Sequence, residues 1–241
     1  YSKNKNCMFL GMPIKGKVYG CIRENKVLLN AWKMLNYIIR KAKSIENSPT
    51  IVLIHGYGSN AEDLLSFRPY LPQNYNIIAI QAPLTLSYNS YAWYPLYPKN
   101  DGTFDSKVEE AWDAVNLLEK NLDYLVDKYK LNKKDLSLLG FSQGSILSWA
   151  LAYSRANKIR RIVALSGFVH ESVDTSSKPT FLAYAAHGKT DMVIPISKAR
   201  NSILQLSKKY SQIEFYEFPE GHTVSQENMN LFLKWLKKTD L

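Results

Sequence analysis

Residues 136–145 place the tightest constraint on what this 241-residue chain can fold into. The apolar run Leu136-Ser137-Leu138-Leu139 predicts a buried strand, and it leads into a Gly-x-Ser-x-Gly motif centred on Ser142. A helix-compatible segment, 145–153, follows at once. Strand, sharp turn and helix in this order are typical of a nucleophile elbow, whose glycines make room for a strained serine at its tip. We therefore predict a reactive Ser142 at a helix N-terminus, the alternative being a surface serine in an ordinary loop.

The rest of the chain alternates between strand and helix patterns. Continuous apolar runs at 50–54 and 76–80 are typical of strands that are covered on both faces. Capping boxes, Ser59 with Glu62 and Ser106 with Glu109, are predicted to begin two helices. Further strands are predicted at 35–40, 161–166, 179–186 and 213–218, and further helices at 197–209 and 226–238. This alternation predicts an α/β fold with a mostly parallel central sheet and helices on both faces.

Three reactive side chains come directly after predicted strands, and reactive groups collect at the carboxyl ends of parallel strands. They are Ser142, Asp191 and His222, in the serine–acid–histidine order of α/β-hydrolases. A serine hydroxyl becomes nucleophilic when an imidazole accepts its proton, and a carboxylate fixes that imidazole's tautomer. We predict a catalytic triad of these residues. Taken singly, Asp191 could instead cap a loop before Pro195, and His222 could be a surface turn residue.

A second loop completes the predicted site. His55-Gly56-Tyr57-Gly58 follows the strand at 50–54, and its small residues leave backbone N–H groups accessible. We assign the oxyanion hole to the backbone N–H groups of Tyr57 and Gln143, the latter being the residue after the nucleophile. His55 is expected to hold this loop by hydrogen bonding. His170 and His187 are interpreted as ordinary loop and strand-end histidines.

Aromatic residues crowd the predicted loop at 83–105. Such residues can wall an apolar acyl pocket, and we predict that Trp93 and Tyr94, together with Tyr57, bind substrate. The alternative is that the aromatic rings pack inward and hold a long loop against the body.

Charge and cysteine content bear on the N-terminal region. Residues 1–48 carry ten Lys and Arg against two Asp and Glu, and this segment accounts for most of the net charge of +10. Because most of the excess positive charge lies in residues 1–48 and no nucleic-acid-binding motif accompanies it, no nucleic-acid partner is expected. We predict a basic extension at 1–33 that need not be well ordered, followed by one domain at 34–241. Cys7 and Cys21 are expected to be free thiols.

The five motifs at 55–58, 92–94, 140–144, 187–195 and 221–222 together resemble the phospholipase/carboxylesterase family, which includes acyl-protein thioesterases and small bacterial carboxylesterases. The resemblance implies an α/β-hydrolase fold without a large lid, the triad Ser142, Asp191 and His222, and Trp93 in a substrate loop. It also implies hydrolysis of short-to-medium acyl esters, lysophospholipids or thioesters with no cofactor and no metal. Two departures, Ser145 where thioesterases typically have glycine and Tyr57 where they have a small or aliphatic residue, leave the substrate open.

Two other functions compete with the serine esterase. A catalytically silent hydrolase fold used for binding would require one triad member to be missing or misplaced, and none is missing from the sequence. A serine peptidase of the same fold is a weaker alternative, because the length leaves no room for an extra propeller or cap domain. No apolar run is long enough to span a membrane and no secretory signal pattern is present, so a cytoplasmic protein, monomeric or homodimeric, is expected.

Overall fold

The computed structural model describes residues 7–8, 22–23, 33–43, 46–100, 104–155 and 157–240. Contacts divide the chain into two units, Tyr1–Lys33 and Met34–Leu241. In the first unit, Cys7–Met8 and Ile22–Arg23 pair as short antiparallel strands. Cys21 and the Cys7 side chain lie outside the described residues, as do the thiol predictions made for them. The order of 1–33 likewise stays a prediction.

In the described part of the second unit, the central sheet has seven strands. They are β1 (Tyr37–Arg40), β2 (Thr50–Ile54), β3 (Asn76–Ile80), β4 (Leu136–Phe141), β5 (Arg161–Leu165), β6 (Leu182–Gly188) and β7 (Ile213–Phe218). Their order across the sheet is β7-β6-β5-β4-β2-β3-β1. Every neighbouring pair is parallel except β1 with β3. The predicted mostly parallel sheet is confirmed.

Four helices of the described residues follow strands of this sheet along the chain. They are α1 (Val108–Tyr129), α2 (Gln143–Ser154), α3, which runs through Ile196–Ala199, a π-helical turn at Arg200–Leu204 and Gln205–Lys209, and α4 (Gln226–Lys238). A short 3-10 helix, Asp63–Phe67, follows β2. In the described residues no helix is both long and apolar enough to cross a membrane.

The strands are apolar along their whole length because helices cover both faces of the sheet. Successive side chains point to opposite faces, so Val52 and Ile54 of β2 join one core cluster while Ile51 and Leu53 join the other. The first cluster contains the apolar faces of α1, α2 and α3. The second contains the apolar face of α4 and Leu64 of the 3-10 helix. The predicted coverage of both faces by helices is confirmed.

Both predicted capping boxes are wrong. Helix α1 begins at Val108, and its N-cap residue Lys107 makes no capping hydrogen bond through its side chain, so Ser106 does not cap it. Before the 3-10 helix, the side-chain oxygen of Asn60 accepts from the N–H groups of Glu62 and Asp63 at 2.9 and 3.1 Å. Any short polar side chain near a helix start can take this role, so the motif does not decide which residue caps.

Four strand and loop predictions also needed correction. Strand β1 begins at Tyr37 instead of residue 35, because the N–H of Leu35 donates to the side chain of Asn121. Strand β5 ends at Leu165, since Ser166 has φ 51°. Strand β6 runs from Leu182 to Gly188, two residues beyond its predicted end. The predicted loop at 83–105 contains two hairpins, Leu84–Ser87 with Ser90–Ala92 and Tyr97–Pro98 with Phe104–Asp105.

Candidate active site

Ser142 occupies a strained turn between β4 and α2. Its backbone has φ 53° and ψ −118°, a conformation that non-glycine residues rarely adopt. Hydrogen bonds on both sides hold it there: its N–H donates to Leu165 O at 2.9 Å, and its C=O accepts from the N–H groups of Ser145 and Ile146 at 2.9 and 3.1 Å. These backbone bonds to β5 and α2 hold Ser142 directly beyond the carboxyl end of β4, in the middle of the sheet.

The two glycines of the motif permit this turn. A Cβ on Gly144 would lie 2.0 Å from the backbone oxygen of Ile54, and one on Gly140 would lie 2.4 Å from the backbone oxygen of Gly144. Both clashes are with backbone, which cannot move aside without displacing β2 or α2. The turn therefore requires glycine at both positions, as the sequence pattern indicated.

The structure brings Ser142, His222 and Asp191 together, although 80 residues separate the serine from the histidine. His222 Nε2 lies 2.9 Å from Ser142 Oγ, and His222 Nδ1 lies 2.7 Å from Asp191 Oδ2. An ionised carboxylate only accepts hydrogen bonds, so Nδ1 carries the hydrogen and Nε2 is left as an acceptor for the serine hydroxyl. Ser142 and Asp191 are buried, while His222 remains partly exposed.

The loop after β6 aims the two carboxylate oxygens of Asp191 in different directions. Oδ1 accepts from the N–H groups of Val193 and Ile194 at 2.9 and 2.8 Å. Oδ2 faces His222. Asp191 thus caps its own loop with one oxygen and contacts the imidazole with the other, so the two alternatives considered from sequence coexist in one side chain.

The loop that carries His222 is joined to the loop that carries Asp191. Lys189 N–H donates to Phe218 O at 2.7 Å, and Thr190 N–H donates to Glu220 O at 3.1 Å. A Cβ on Gly188 would lie 2.2 Å from Gly221 O, so only glycine permits this approach. The two loops consequently form one unit, which sets the distance between the acid and the histidine.

The predicted oxyanion loop lies against Ser142. A Cβ on Gly56 would be 3.1 Å from the Cβ of Ser142. His55 holds the loop as expected: its Nε2 accepts from Ala82 N–H at 3.1 Å, so its Nδ1 carries the hydrogen and donates to Gly56 O at 2.8 Å. Burial lowers the pKa of His55, which keeps the ring neutral. Gly58 has φ 77°, and its N–H donates to Tyr91 O at 2.8 Å.

Trp93 and Tyr94 are core residues, with 2% and 3% of their surface exposed. The indole N–H of Trp93 donates to His55 O at 2.9 Å, and burial raises the pKa of Tyr94. These contacts match the alternative in which the aromatic rings hold the loop against the body. Of the three residues predicted to bind substrate, Tyr57 is the one with an exposed side chain, at 41%.

The side chain of Gln143 has a role that sequence reasoning missed. Its amide oxygen accepts from Trp93 N–H at 2.8 Å, and its amide nitrogen donates to Tyr94 O at 2.9 Å. Gln143 was selected for its backbone N–H alone. The available signal was a polar side chain directly after Ser142 at the start of a predicted buried helix, since a buried amide needs partners for both its oxygen and its nitrogen.

Comparisons with known proteins agree with this fold. A model of the phospholipase/carboxylesterase family matches residues 36–240. Acyl-protein thioesterase 1 of Saccharomyces cerevisiae is 28% identical over 218 residues, which cover 79% of this chain and 92% of the yeast protein. The crystal structure of esterase PE8 is 25% identical with a TM-score of 0.73, covering 86% of this chain and 99% of that one. The Bacillus cereus carboxylesterase, 18% identical with a TM-score of 0.72 and covering 87% and 96% of the two chains, shares the fold.

Proposed function

Since the chain belongs to the phospholipase/carboxylesterase family, we propose that it is a serine hydrolase that cleaves carboxylic esters or thioesters of short-to-medium acyl chains through Ser142, His222 and Asp191. The family confirms the predicted enzyme class, a carboxylic ester hydrolase of the carboxylesterase and thioesterase kind. The observation that carries the proposed mechanism is the continuous contact from Ser142 Oγ through His222 to Asp191 at 2.9 and 2.7 Å.

Acylation begins at Ser142. As its Oγ attacks the acyl carbon, His222 Nε2 takes the hydroxyl proton, and Asp191 stabilises the resulting imidazolium. The carbonyl oxygen becomes an oxyanion, to which the backbone N–H groups of Tyr57 and Gln143 donate. When the tetrahedral intermediate collapses, the bond to the leaving group breaks and His222 returns the proton to the departing alcohol or thiol. The acyl group is then an ester of Ser142.

Deacylation repeats these steps with water as the nucleophile. His222 takes a proton from water as the water oxygen attacks the acyl-serine carbonyl. The second tetrahedral intermediate releases the carboxylic acid, and Ser142 Oγ recovers its proton from His222. The cycle uses no group beyond the protein and water.

Exposed apolar side chains near the triad support an acyl substrate. Met192 and Val193 directly follow Asp191 and are 92% and 66% exposed, and Tyr57 on the oxyanion loop is also exposed. We propose that these three residues contact the acyl chain, while Trp93 and Tyr94 support the loop from within. Cytoplasmic location, a monomeric or homodimeric state and the absence of a nucleic-acid partner stay predictions.

The test is hydrolysis of p-nitrophenyl esters with acyl chains of two to about twelve carbons by wild type and Ser142→Ala. Ser154→Ala, which removes a hydroxyl at the other end of α2, is the matched control. We expect Ser142→Ala to lose turnover by a factor of at least about 10⁴ with unchanged thermal unfolding, and Ser154→Ala to retain it.

A fluorophosphonate probe gives a second, substrate-independent readout. We expect it to label wild type at Ser142 and to leave Ser142→Ala unlabelled. A folded wild type that neither turns over any ester nor reacts with the probe would contradict the proposal and favour the silent binding fold.

A further inference from the structure

His187 lies inside β6, four residues before Asp191, and is 1% exposed. From the sequence alone, His187 was interpreted as an ordinary strand-end histidine. Its Nε2 is 2.7 Å from Ile194 O and 3.3 Å from Asp191 Oδ2, and its Nδ1 is 3.2 Å from Gly167 O. A second imidazole therefore contacts the same carboxylate oxygen that faces His222.

The surroundings of the ring determine where its hydrogen lies. The carbonyl oxygens of Gly167 and Ile194 and the carboxylate of Asp191 can only accept hydrogen bonds. Two of these acceptors face Nε2, and the contact with Ile194 O is the shortest. Nε2 must carry a hydrogen, because His187 is 1% exposed and a lone pair there would oppose two oxygens. A neutral imidazole then has no hydrogen on Nδ1, so the 3.2 Å approach of Nδ1 to Gly167 O is a packing contact and not a hydrogen bond. The Nε2–H group consequently donates to Ile194 O with its positive end close to Asp191 Oδ2.

Ile194 couples this imidazole to the catalytic acid. Its N–H donates to Asp191 Oδ1 at 2.8 Å, while its C=O accepts from His187 Nε2. The turn at 191–194 is thus held through both the N–H and the C=O of Ile194. The other end of His187 contacts Gly167, which packs under the elbow: a Cβ on Gly167 would lie 2.6 Å from the Cβ of Ser145 and 3.2 Å from Ser142 O.

We propose that His187 is a positioning residue for the hydrolytic reaction: it holds the turn at 191–194 and, through its N–H, sets the orientation and the effective charge of Asp191 towards His222. This inference rests on the proposed function. It gives Asp191 and Ser142 two connections, one through His222 and one through His187 and Gly167. Rotation of the carboxylate away from His222 would require the His187 contact to break.

The other charged groups around the ring leave this arrangement in place. Glu217 of β7 pairs with His187 across the sheet, but its carboxylate accepts from Arg200 at 2.8 and 2.6 Å. That hydrogen bond is the main reason why the pKa of Glu217 is lowered, with Lys189 and His187 adding smaller contributions. The groups that face the imidazole are therefore Asp191, with His222 beyond it, and the neutralised pair Glu217 and Arg200.

Three variants separate positioning from simple packing. His187→Gln can place an amide N–H near the Nε2 position, His187→Asn can place one near the Nδ1 position, and His187→Leu has no donor. We expect His187→Gln to retain kcat within about threefold and His187→Leu to lose about 10- to 100-fold in kcat with KM little changed. His187→Asn should resemble His187→Leu. His170→Leu is the control, because among the described residues the His170 side chain hydrogen-bonds only to Ser172.

The pH dependence of kcat/KM gives a readout that would not change if His187 contributed packing alone. Without the His187 N–H, the Asp191 carboxylate interacts more strongly with protonated His222, so the acid limb of kcat/KM should shift to higher pH in His187→Leu and stay in place in His187→Gln. Wild-type kcat in a folded His187→Leu, or equal losses in all three variants without a shift of the limb, would overturn the inference. If His187→Leu does not fold, the contrast between Gln and Asn decides.

Wild type and Ser142→Ala are measured in parallel. Turnover that depends on Ser142 but is unaffected by any His187 variant refutes this inference alone. Absence of both turnover and fluorophosphonate labelling in wild type refutes the proposed function, and the inference with it.

Discussion

The backbone N–H of Trp93 donates to the side-chain oxygen of Gln143 at 2.8 Å, which joins the aromatic loop to the residue that follows Ser142. A second bond, from the Gln143 amide nitrogen to Tyr94 O at 2.9 Å, makes the connection bidentate. Because Trp93 in turn donates to His55 O, the elbow, the aromatic loop and the oxyanion loop are linked through buried hydrogen bonds. The geometry of the proposed oxyanion hole would therefore depend on the side chain of Gln143, whose backbone N–H is one of its two proposed donors.

Removing this connection should affect stability and catalysis together. Gln143→Leu leaves Trp93 N–H and Tyr94 O buried without partners, which should lower the free energy of unfolding by about 2–4 kcal/mol. The backbone N–H at position 143 remains, so we expect kcat to fall by about tenfold and not to vanish. Urea unfolding and ester turnover measure the two effects. Wild-type stability in Gln143→Leu would contradict the prediction.

The elbow should tolerate no side chain at Gly144. Gly144→Ala would place a Cβ 2.0 Å from the backbone oxygen of Ile54, so β2 or α2 must shift, at a cost of about 1–3 kcal/mol or more. The matched control is Gly221→Ala, whose Cβ would lie 3.6 Å from Thr190 O, an ordinary contact. Thermal unfolding should show a clear loss for Gly144→Ala and a midpoint near wild type for Gly221→Ala. Equal midpoints in the two variants would rule out the steric explanation.

The role of Asp191 in the proposed triad can be tested with a variant that keeps the hydrogen bonds of its loop. Asp191→Asn keeps an acceptor for the N–H groups of Val193 and Ile194, so the loop should stay folded. The amide has no negative charge to stabilise protonated His222 and can favour the wrong tautomer, so kcat should fall by about 10⁴. Steady-state ester hydrolysis measures this loss, and thermal unfolding checks the fold. A folded Asp191→Asn protein with more than a tenth of wild-type kcat would remove Asp191 from the mechanism.

Stability should depend on pH through His55. Burial lowers the pKa of His55 in the folded protein below its ordinary value of 6.5, so the unfolded chain binds a proton at a higher pH than the native state does. The free energy of unfolding therefore falls as the pH is lowered through about 6.5 towards the folded pKa, and this contribution is fully present only above 6.5.

Urea unfolding at pH 7.5 and pH 5 of wild type and His55→Gln isolates this contribution from that of the other titrating groups. Wild type should lose more stability over the interval than the variant does. An NMR titration that gave His55 a midpoint at or above 6.5 would show the sign to be wrong.

Local sequence patterns predicted much of this fold. The bounds predicted for β2, β3, β7 and α4 are those observed, because each is a strongly apolar or amphipathic segment whose ends are marked by polar or turn residues. The hairpins at 84–92 and 97–105 were missed, since their strands are short and exposed and their pairing depends on neighbours. Ser59 failed as a cap because the neighbouring Asn60 accepts from the N–H groups of Glu62 and Asp63 instead. Ser106 failed because the helix begins at Val108, which makes Lys107 the N-cap residue.

The sequence by itself determined the α/β class, the elbow at Ser142 and the order of three reactive side chains at strand ends, because these follow from periodicity, from glycine and from residue type. Only the tertiary structure decided that Trp93 is a buried support and that His187 and His222 meet at one oxygen of Asp191. Those facts depend on contacts between loops that lie far apart in the chain. Their distances are set by the packing of the whole sheet and are not encoded in any local pattern.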